Sequence, residues 1–181
     1  MAGHDKITPE GKKFFKQIAE LKKLQVRIGF TESKSGHGKN HESVSAKDYE
    51  DGETVAEVAM WNELGTSGKY PIPSRPFMRQ SVDKNESTIR KMCELQIQAI
   101  ARGATAEEAL KAIGALQVGL VQNEIRNGGF AKNAPITIEG GWIWTSSGKP
   151  FYIKPKKSAK PLIDEGRLRQ SVHYVIQEKG G

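Results

Sequence analysis

Three of the six residues in the segment Pro71-Ile72-Pro73-Ser74-Arg75-Pro76 are proline. Each proline fixes φ at about −65°, removes a backbone donor and restricts the residue before it to extended conformations. No helix or central strand can run through such a stretch. It must be a corner of irregular backbone, and its prolines also narrow the unfolded ensemble. On the N-terminal side, Val55 to Leu64 reads as a short helix ended by Gly65. On the C-terminal side a helical region starts near Arg75-Pro76, and the stripe Ile89, Met92, Cys93, Ile97 and Ile100 extends it to about Gly103. Phe77 is placed to anchor the corner to a core. Glu63 and Arg75 are placed to form a bidentate pair across it, or Arg75 to reach a neighbouring subunit. Two readings of the corner stand side by side: a joint between two helices, or a subunit contact, where Arg and aromatic residues are enriched.

The rest of the chain mixes helical and extended periods. Thr8-Pro9-Glu10 is a helix start, with Thr as N-cap and Pro at the first helical position, and Phe14, Phe15, Ile18 and Leu21 follow at helical spacing. Leu24, Val26, Ile28 and Phe30 then alternate with Gln25, Arg27 and Gly29 as a half-buried strand. Thr105-Ala106-Glu107-Glu108 opens a further helix that stops at Gly128-Gly129. Ile136-Thr137-Ile138, Trp142-Ile143-Trp144 and Phe151-Tyr152-Ile153 are short extended runs separated by Gly140-Gly141 and Ser146-Ser147-Gly148. Gly166 to Gln170 suits one helical turn, and Val172, Tyr174 and Ile176 a last strand. The expected fold is α+β: a small mixed or antiparallel sheet packed against two to three helices, with long loop or hairpin extensions. Residues 1–181 form one such domain, with a flexible Gly/Ser-rich loop near 31–53 and a hairpin-like extension near 136–160.

Composition bounds the function. The chain has 181 residues, 36% hydrophobic residues and a net charge of +7. With a mean hydropathy of −0.57, this suits a modest core under much polar surface. No apolar run approaches a membrane span. The opening Met1-Ala2-Gly3-His4-Asp5-Lys6 has no apolar signal segment, which predicts a protein that stays in the cytoplasm. The single Cys93 excludes an internal disulfide and is expected as a small buried hydrophobe. The positive charge suits a polyanion, yet the lysines are spread along the chain rather than gathered in an aromatic-interleaved arm.

No reaction chemistry assembles. His37 and His41 are four apart, but they lie in Gly/Ser-rich sequence without nearby Cys. Gly65-Thr66-Ser67-Gly68-Lys69-Tyr70 and Ser146-Ser147-Gly148-Lys149-Pro150 lack the first Gly and the closing hydroxyl of a phosphate loop. Asp48, Glu50, Asp51 and Glu53 lack the spacing of a calcium loop. Ser171 and His173 fall on one face of the last extended run without an orienting acid. The expectation is a protein that is not an enzyme and that holds no cofactor and no metal.

Two motifs carry a resemblance. Ala-x-x-x-Trp61-Asn62-Glu63-Leu-Gly65-Thr66 followed by Ile-Pro73-Ser-Arg75-Pro76-Phe77-Met-Arg is the first, and Lys-Pro161-Leu162-Ile-Asp164-x-Gly166-Arg167-Leu168-x-x-Ser is the second. In this order, with Val26 to Phe30 and Ala134 to Ile138 ahead of them, they resemble the tailed-bacteriophage neck proteins. These are the tail-completion or head–tail joining proteins of the virion morphogenesis or minor tail protein Z type. The similarity spans about residues 24 to 177, departing at Glu165, where the family usually carries Thr, and in the loop 31–53. It implies a structural virion protein with no catalytic residues. Such a protein forms a ring in the neck, sixfold or alternatively twelvefold, that completes the tail and joins it to the DNA-filled head. The implied partners are further copies of the chain, neighbouring neck and tail-terminator or connector proteins, and double-stranded DNA passing through; no membrane is implied. The implied location is the head–tail junction of the virion, after assembly in the bacterial cytoplasm. The competing reading is a stand-alone basic nucleic-acid-binding protein. Asp164 is expected to cap the turn that follows it.

Overall fold

The computed structural model describes residues 7–30, 54–145, 147–156, 159–163 and 166–180. In chain order the elements are α1 (Pro9–Lys23), β1 (Leu24–Gly29), α2 (Val55–Leu64), α3 (Phe77–Asp83), α4 (Glu86–Ala101), α5 (Ala106–Asn127), α6 (Pro135–Glu139), β2 (Gly141–Trp144), β3 (Pro150–Ile153), α7 (Arg167–Gln170) and β4 (His173–Glu178). The fold is α+β. Among the described residues its strands form two separate two-stranded sheets, β1 with β4 and β2 with β3, in place of one small sheet. The helices number seven among the described residues rather than two to three, because four of them are turns of ten residues or fewer around the corner and the hairpin.

The chain resolves into two compact units. The first contains α1, β1, α4, the start of α5 and β4. Thr8 caps α1 by accepting the Gly11 N–H at 3.1 Å. β1 and β4 run antiparallel, and the Lys179 N–H donates to the Lys23 carbonyl at 2.7 Å where β1 begins. Gly114 of α5 lies against this sheet so closely that a Cβ would sit 2.6 Å from the Tyr174 ring and 3.0 Å from Val26 Cγ2. Ile100, Ala106, Ala109 and Leu110 are buried in this unit. The Thr105–Glu108 pair closes a reciprocal cap on α5, and the next amide, Ala106 N–H, donates to Gln17 Oε1 of α1 at 2.8 Å.

The second unit contains α2, α3, the end of α5, α6, the β2–β3 hairpin and α7. Val55, Ala59, Phe77, Val121, Ile125, Leu162, Leu168 and Val172 are buried in it. The Phe30 ring meets the fully buried Phe77 edge-on, with centroids 6.0 Å apart. Lys84 pairs with Glu124, which is buried.

Three local expectations change. The helical region from 75 to 103 is two helices, broken at Lys84-Asn85, where Asn85 at φ −123° serves as the N-cap of α4. Ile136-Thr137-Ile138 is helical in α6 although it alternates like a strand. Pro135 at the first helical position presets the φ, and the Ala134 carbonyl accepts from both Thr137 and Ile138. Cys93 is exposed rather than buried, because α4 turns Ile89, Met92, Gln96 and Ile100 inward. The loop 31–53 lies outside the described residues.

Candidate functional site

The first motif is one continuous hydrogen-bonded corner. Thr54 and Glu57 form a capping box at the start of α2: the Glu57 N–H donates to Thr54 Oγ1 at 3.2 Å, and the Thr54 N–H to Glu57 Oε2 at 2.9 Å. The Thr54 backbone amide first, and second its hydroxyl, which donates to the same Oε2 at 2.9 Å, hold the Glu57 carboxylate below its ordinary pKa. Gly65 ends the helix at φ +78°, its N–H donating to the Trp61 carbonyl. A Cβ there would stand 3.0 Å from both the Ile72 oxygen and the Ser74 nitrogen, because the chain doubles back across it. Thr66 fastens that return: its N–H donates to the Ile72 carbonyl at 3.0 Å and its hydroxyl accepts the Ile72 N–H at 2.9 Å. Ser74 Oγ donates to the Glu63 carbonyl, and the Arg75 N–H to the Asn62 carbonyl at 2.6 Å.

Pro76 then makes the last bend. At φ −77° and ψ 63° it is the centre of an inverse γ-turn, with the Phe77 N–H donating to the Arg75 carbonyl at 2.7 Å. A proline in the N-cap position has no side-chain acceptor for the first amides of α3. Glu63 supplies one from fifteen residues back, accepting the Met78 N–H on Oε2 at 2.8 Å and the Arg79 N–H on Oε1 at 3.1 Å.

Arg75 does not pair with Glu63. It is 5% exposed, and its guanidinium closes the corner from inside. Nη1 donates to Asn62 Oδ1 at 2.8 Å, Nε to the Ala131 carbonyl at 3.0 Å, and Nη2 to Asn133 Oδ1 at 3.2 Å and the Lys132 carbonyl at 3.4 Å. Asn62 is itself steadied by donating to the Val58 carbonyl at 2.8 Å. Burial lowers the guanidinium pKa, yet four hydrogen bonds to fixed oxygens keep the group charged and in place. Arg75 is therefore a tie between the corner and the segment 131–133, and it offers nothing to a neighbour at the surface.

The second motif comes to the same place: α2 packs against α7. Leu162 and Leu168 are buried, and Leu162 holds a left-handed φ of +61° that a branched side chain seldom adopts. Gly166 at φ +80° starts α7, and the Gln122 side chain donates to the Arg169 carbonyl at 3.2 Å. Ser171 ends α7 by donating through Oγ to the Arg167 carbonyl at 2.8 Å, so it precedes β4 rather than sharing a strand face with His173. Trp61, Asn62, Glu63, Gly65, Thr66, Arg75, Pro76 and Phe77 thus lie in one unit with Pro161, Leu162, Gly166, Arg167 and Leu168, while Pro73 is exposed on the loop. Asp164, with its proposed cap, lies outside the described residues, as do His37, His41 and the acids from Asp48 to Glu53.

The outer side of the corner is apolar. Met60 and Leu64, one turn apart on α2, are 51% and 64% exposed, and Tyr70 and Val82 are also exposed. Nothing in the residue pattern singles out Met60 and Leu64 beforehand, since a ten-residue helix this apolar gives no clear polar face. Among the described residues no group of three His, Cys, Asp or Glu side chains could hold a metal ion. No helix among them is long and apolar enough to cross a membrane.

No protein-family model, curated protein or solved structure matches this chain.

Proposed function

We propose that this protein is a structural component of a tailed-bacteriophage virion. Copies of it form a ring in the neck, sixfold with twelvefold as the alternative, that completes the tail and joins it to the DNA-filled head. The observation that supports this reading is the use the chain makes of the residues in the resemblance. Asn62, Glu63, Thr66, Arg75 and Pro76 are spent on fixing one corner of backbone, and the second motif packs beside it. A corner held so tightly presents Met60 and Leu64 in fixed directions at low entropic cost, which is what a repeated subunit contact requires. A surface offered in one direction and met by a different surface of the next copy closes into a ring when the rotation divides a full turn.

The reading is tested in assembled particles. Antibody-gold labelling of purified virions is expected to mark the head–tail junction, and a null phage is expected to accumulate unjoined heads and tails. Label confined to the capsid shell or the tail tip, or normal joining in the null, contradicts the proposal. The Met60→Glu/Leu64→Glu double variant, folded by circular dichroism, is expected to fail in joining.

A further inference from the structure

The β2–β3 hairpin carries a face that the corner does not use. Its register pairs Trp142 with Tyr152 and Trp144 with Pro150, so these four residues share one side of the ribbon. That side faces outward: Trp142 is 67% exposed, Trp144 57% and Tyr152 46%. The opposite side holds Ile143 and Ile153, both partly buried, and Phe151 near the turn, which is exposed. The hairpin is also firmly set. Thr145 clamps its turn, donating from its N–H to the Lys149 carbonyl and accepting the Lys149 N–H on Oγ1 at 3.0 Å. Its base is tied to α6 by the Lys156 N–H, which donates to the Thr137 carbonyl at 3.0 Å. At Gly140 a Cβ would sit 2.8 Å from Pro155 Cδ, and at Gly141 one would sit 2.6 Å from Ile136 Cδ1. Trp142 and Tyr152 steady each other across the strands, with ring centroids 5.3 Å apart, but the second exposed indole, Trp144, has no such ring contact among the described residues, and the whole face costs solubility.

The sequence that carries the hairpin is lopsided in charge. From Pro135 to Lys160 the sequence has five lysines against one acid, Glu139, a local charge of +4. Self-association face to face would set those lysines against their copies, a like-charge arrangement that costs affinity. A polyanion with flat rings to stack is the complementary partner. Duplex DNA hides its base faces, whereas a single strand offers them, and base–aromatic stacking beside lysine–phosphate contacts is how sequence-tolerant single-strand sites are built. We infer that the outward face of the β2–β3 hairpin binds single-stranded DNA, with Trp142, Trp144 and Tyr152 stacking on bases and Lys149 of the hairpin turn meeting phosphate. This goes beyond the ring reading and is independent of it, since Met60 and Leu64 take no part in it.

The test is a titration of a fluorescein-labelled oligothymidylate of about fifteen nucleotides, a length that covers roughly one to three such sites. The full-length protein is followed by anisotropy and by indole fluorescence, beside the same length of duplex DNA and of RNA. The single strand is expected to quench the indoles and to bind at least about tenfold more tightly than the duplex at equal salt. Trp142→Ala and Trp144→Ala are each expected to weaken it by roughly fivefold or more. Trp144→Ala should keep the wild-type melting temperature, Trp142→Ala should lower it only slightly through the lost ring contact with Tyr152, and Trp144→Phe should recover most of the binding. Lys149→Ala is expected to flatten the dependence on salt by about 0.7 in log–log slope for one lost phosphate contact. Equal affinity for duplex and single strand with unchanged binding in both alanine variants would overturn the inference and leave only lysine attraction. Tenfold tighter binding of RNA would overturn the assignment to DNA. Absence of binding at low salt, or a self-association that Trp144→Ala abolishes, would overturn it as well.

Discussion

The Glu63 carboxylate accepts the Met78 N–H at 2.8 Å on one oxygen while its other oxygen receives the Arg79 N–H at 3.1 Å. One side chain at the end of α2 thereby caps the start of α3, across a turn whose own N-cap is a proline. The two helices are joined by this bond as much as by the chain between them, and it fixes the angle at which Phe77 enters the core. Glu63→Ala removes the acceptors for two amides and the negative charge favoured at a helix N-terminus. The expected loss is about 1–2 kcal/mol of unfolding free energy by urea titration. Glu63→Gln, which keeps one oxygen, should lose roughly half of that.

Arg75→Ala is expected to be more damaging. It strips the donors from Asn62, Asn133 and two carbonyls at a site that is 5% exposed. Leaving buried acceptors unsatisfied costs about 1–3 kcal/mol per group before relaxation and water entry, so a loss of about 3 kcal/mol or more is predicted. Arg75→Lys should restore little of it, because an ammonium cannot reach the oxygens that the planar fork meets together. Near-wild-type urea unfolding of Arg75→Ala would show that the tie does not hold the corner.

Two glycines of one helix should respond in opposite directions. Gly119 has nothing within 4 Å of a built Cβ, so Gly119→Ala should stabilise by about 0.5–1 kcal/mol through helix propensity alone. At Gly114 the Cβ meets Tyr174 Cγ and Cδ2 at 2.6 Å, at the root of the ring, which cannot swing clear as the tip of a flexible chain could. Gly114→Ala should therefore destabilise by about 1–3 kcal/mol despite the same gain in propensity. Thermal melts of the two variants decide the matter, and equal stabilisation would show that α5 does not rest on the sheet.

Acid should loosen both helix caps. The Glu57 and Glu108 carboxylates are held below the ordinary value of 4.5, first by the Thr54 and Thr105 backbone amides and then by their hydroxyls. A lowered native pKa contributes stability that is present above the unfolded pKa and lost as pH falls through the native one. The melting temperature should thus fall as pH drops from about 5 to about 3, and the fall should be shallower in the Glu57→Gln/Glu108→Gln variant. Parallel curves for variant and wild type would remove the caps from the acid response.

What the residues announced in advance was local. Thr8-Pro9, Thr105 with Glu108, and the prolines from 71 to 76 each act within a few residues, and each does in the structure what its chemistry dictates. The contacts that complete the candidate site are distant, since Arg75 reaches oxygens 56 to 58 residues further on and no spacing points to them. Periodicity misled where two periods fit the same short run. Ile136-Thr137-Ile138 alternates like a strand, yet Pro135 and Gly140 bound a single helical turn. In α4 the apolar stripe runs through Cys93 and Ile97, yet the helix turns Met92 and the polar Gln96 inward more deeply than either. The outward aromatic face of the hairpin was hidden for a related reason: alternation tells which residues share a side, not which side meets solvent.

The ring is the central claim, and the mass of the purified protein in solution tests it most directly. Light scattering behind size exclusion, over a hundredfold range of concentration, is expected to find a species of about 120 kDa, six times the 20.0 kDa chain, or of about 240 kDa for twelve. Met60→Glu/Leu64→Glu should shift that species to the mass of one chain while the melting temperature stays within a few degrees. A 20.0 kDa species at every concentration, and single copies rather than a ring in purified particles, would contradict the account.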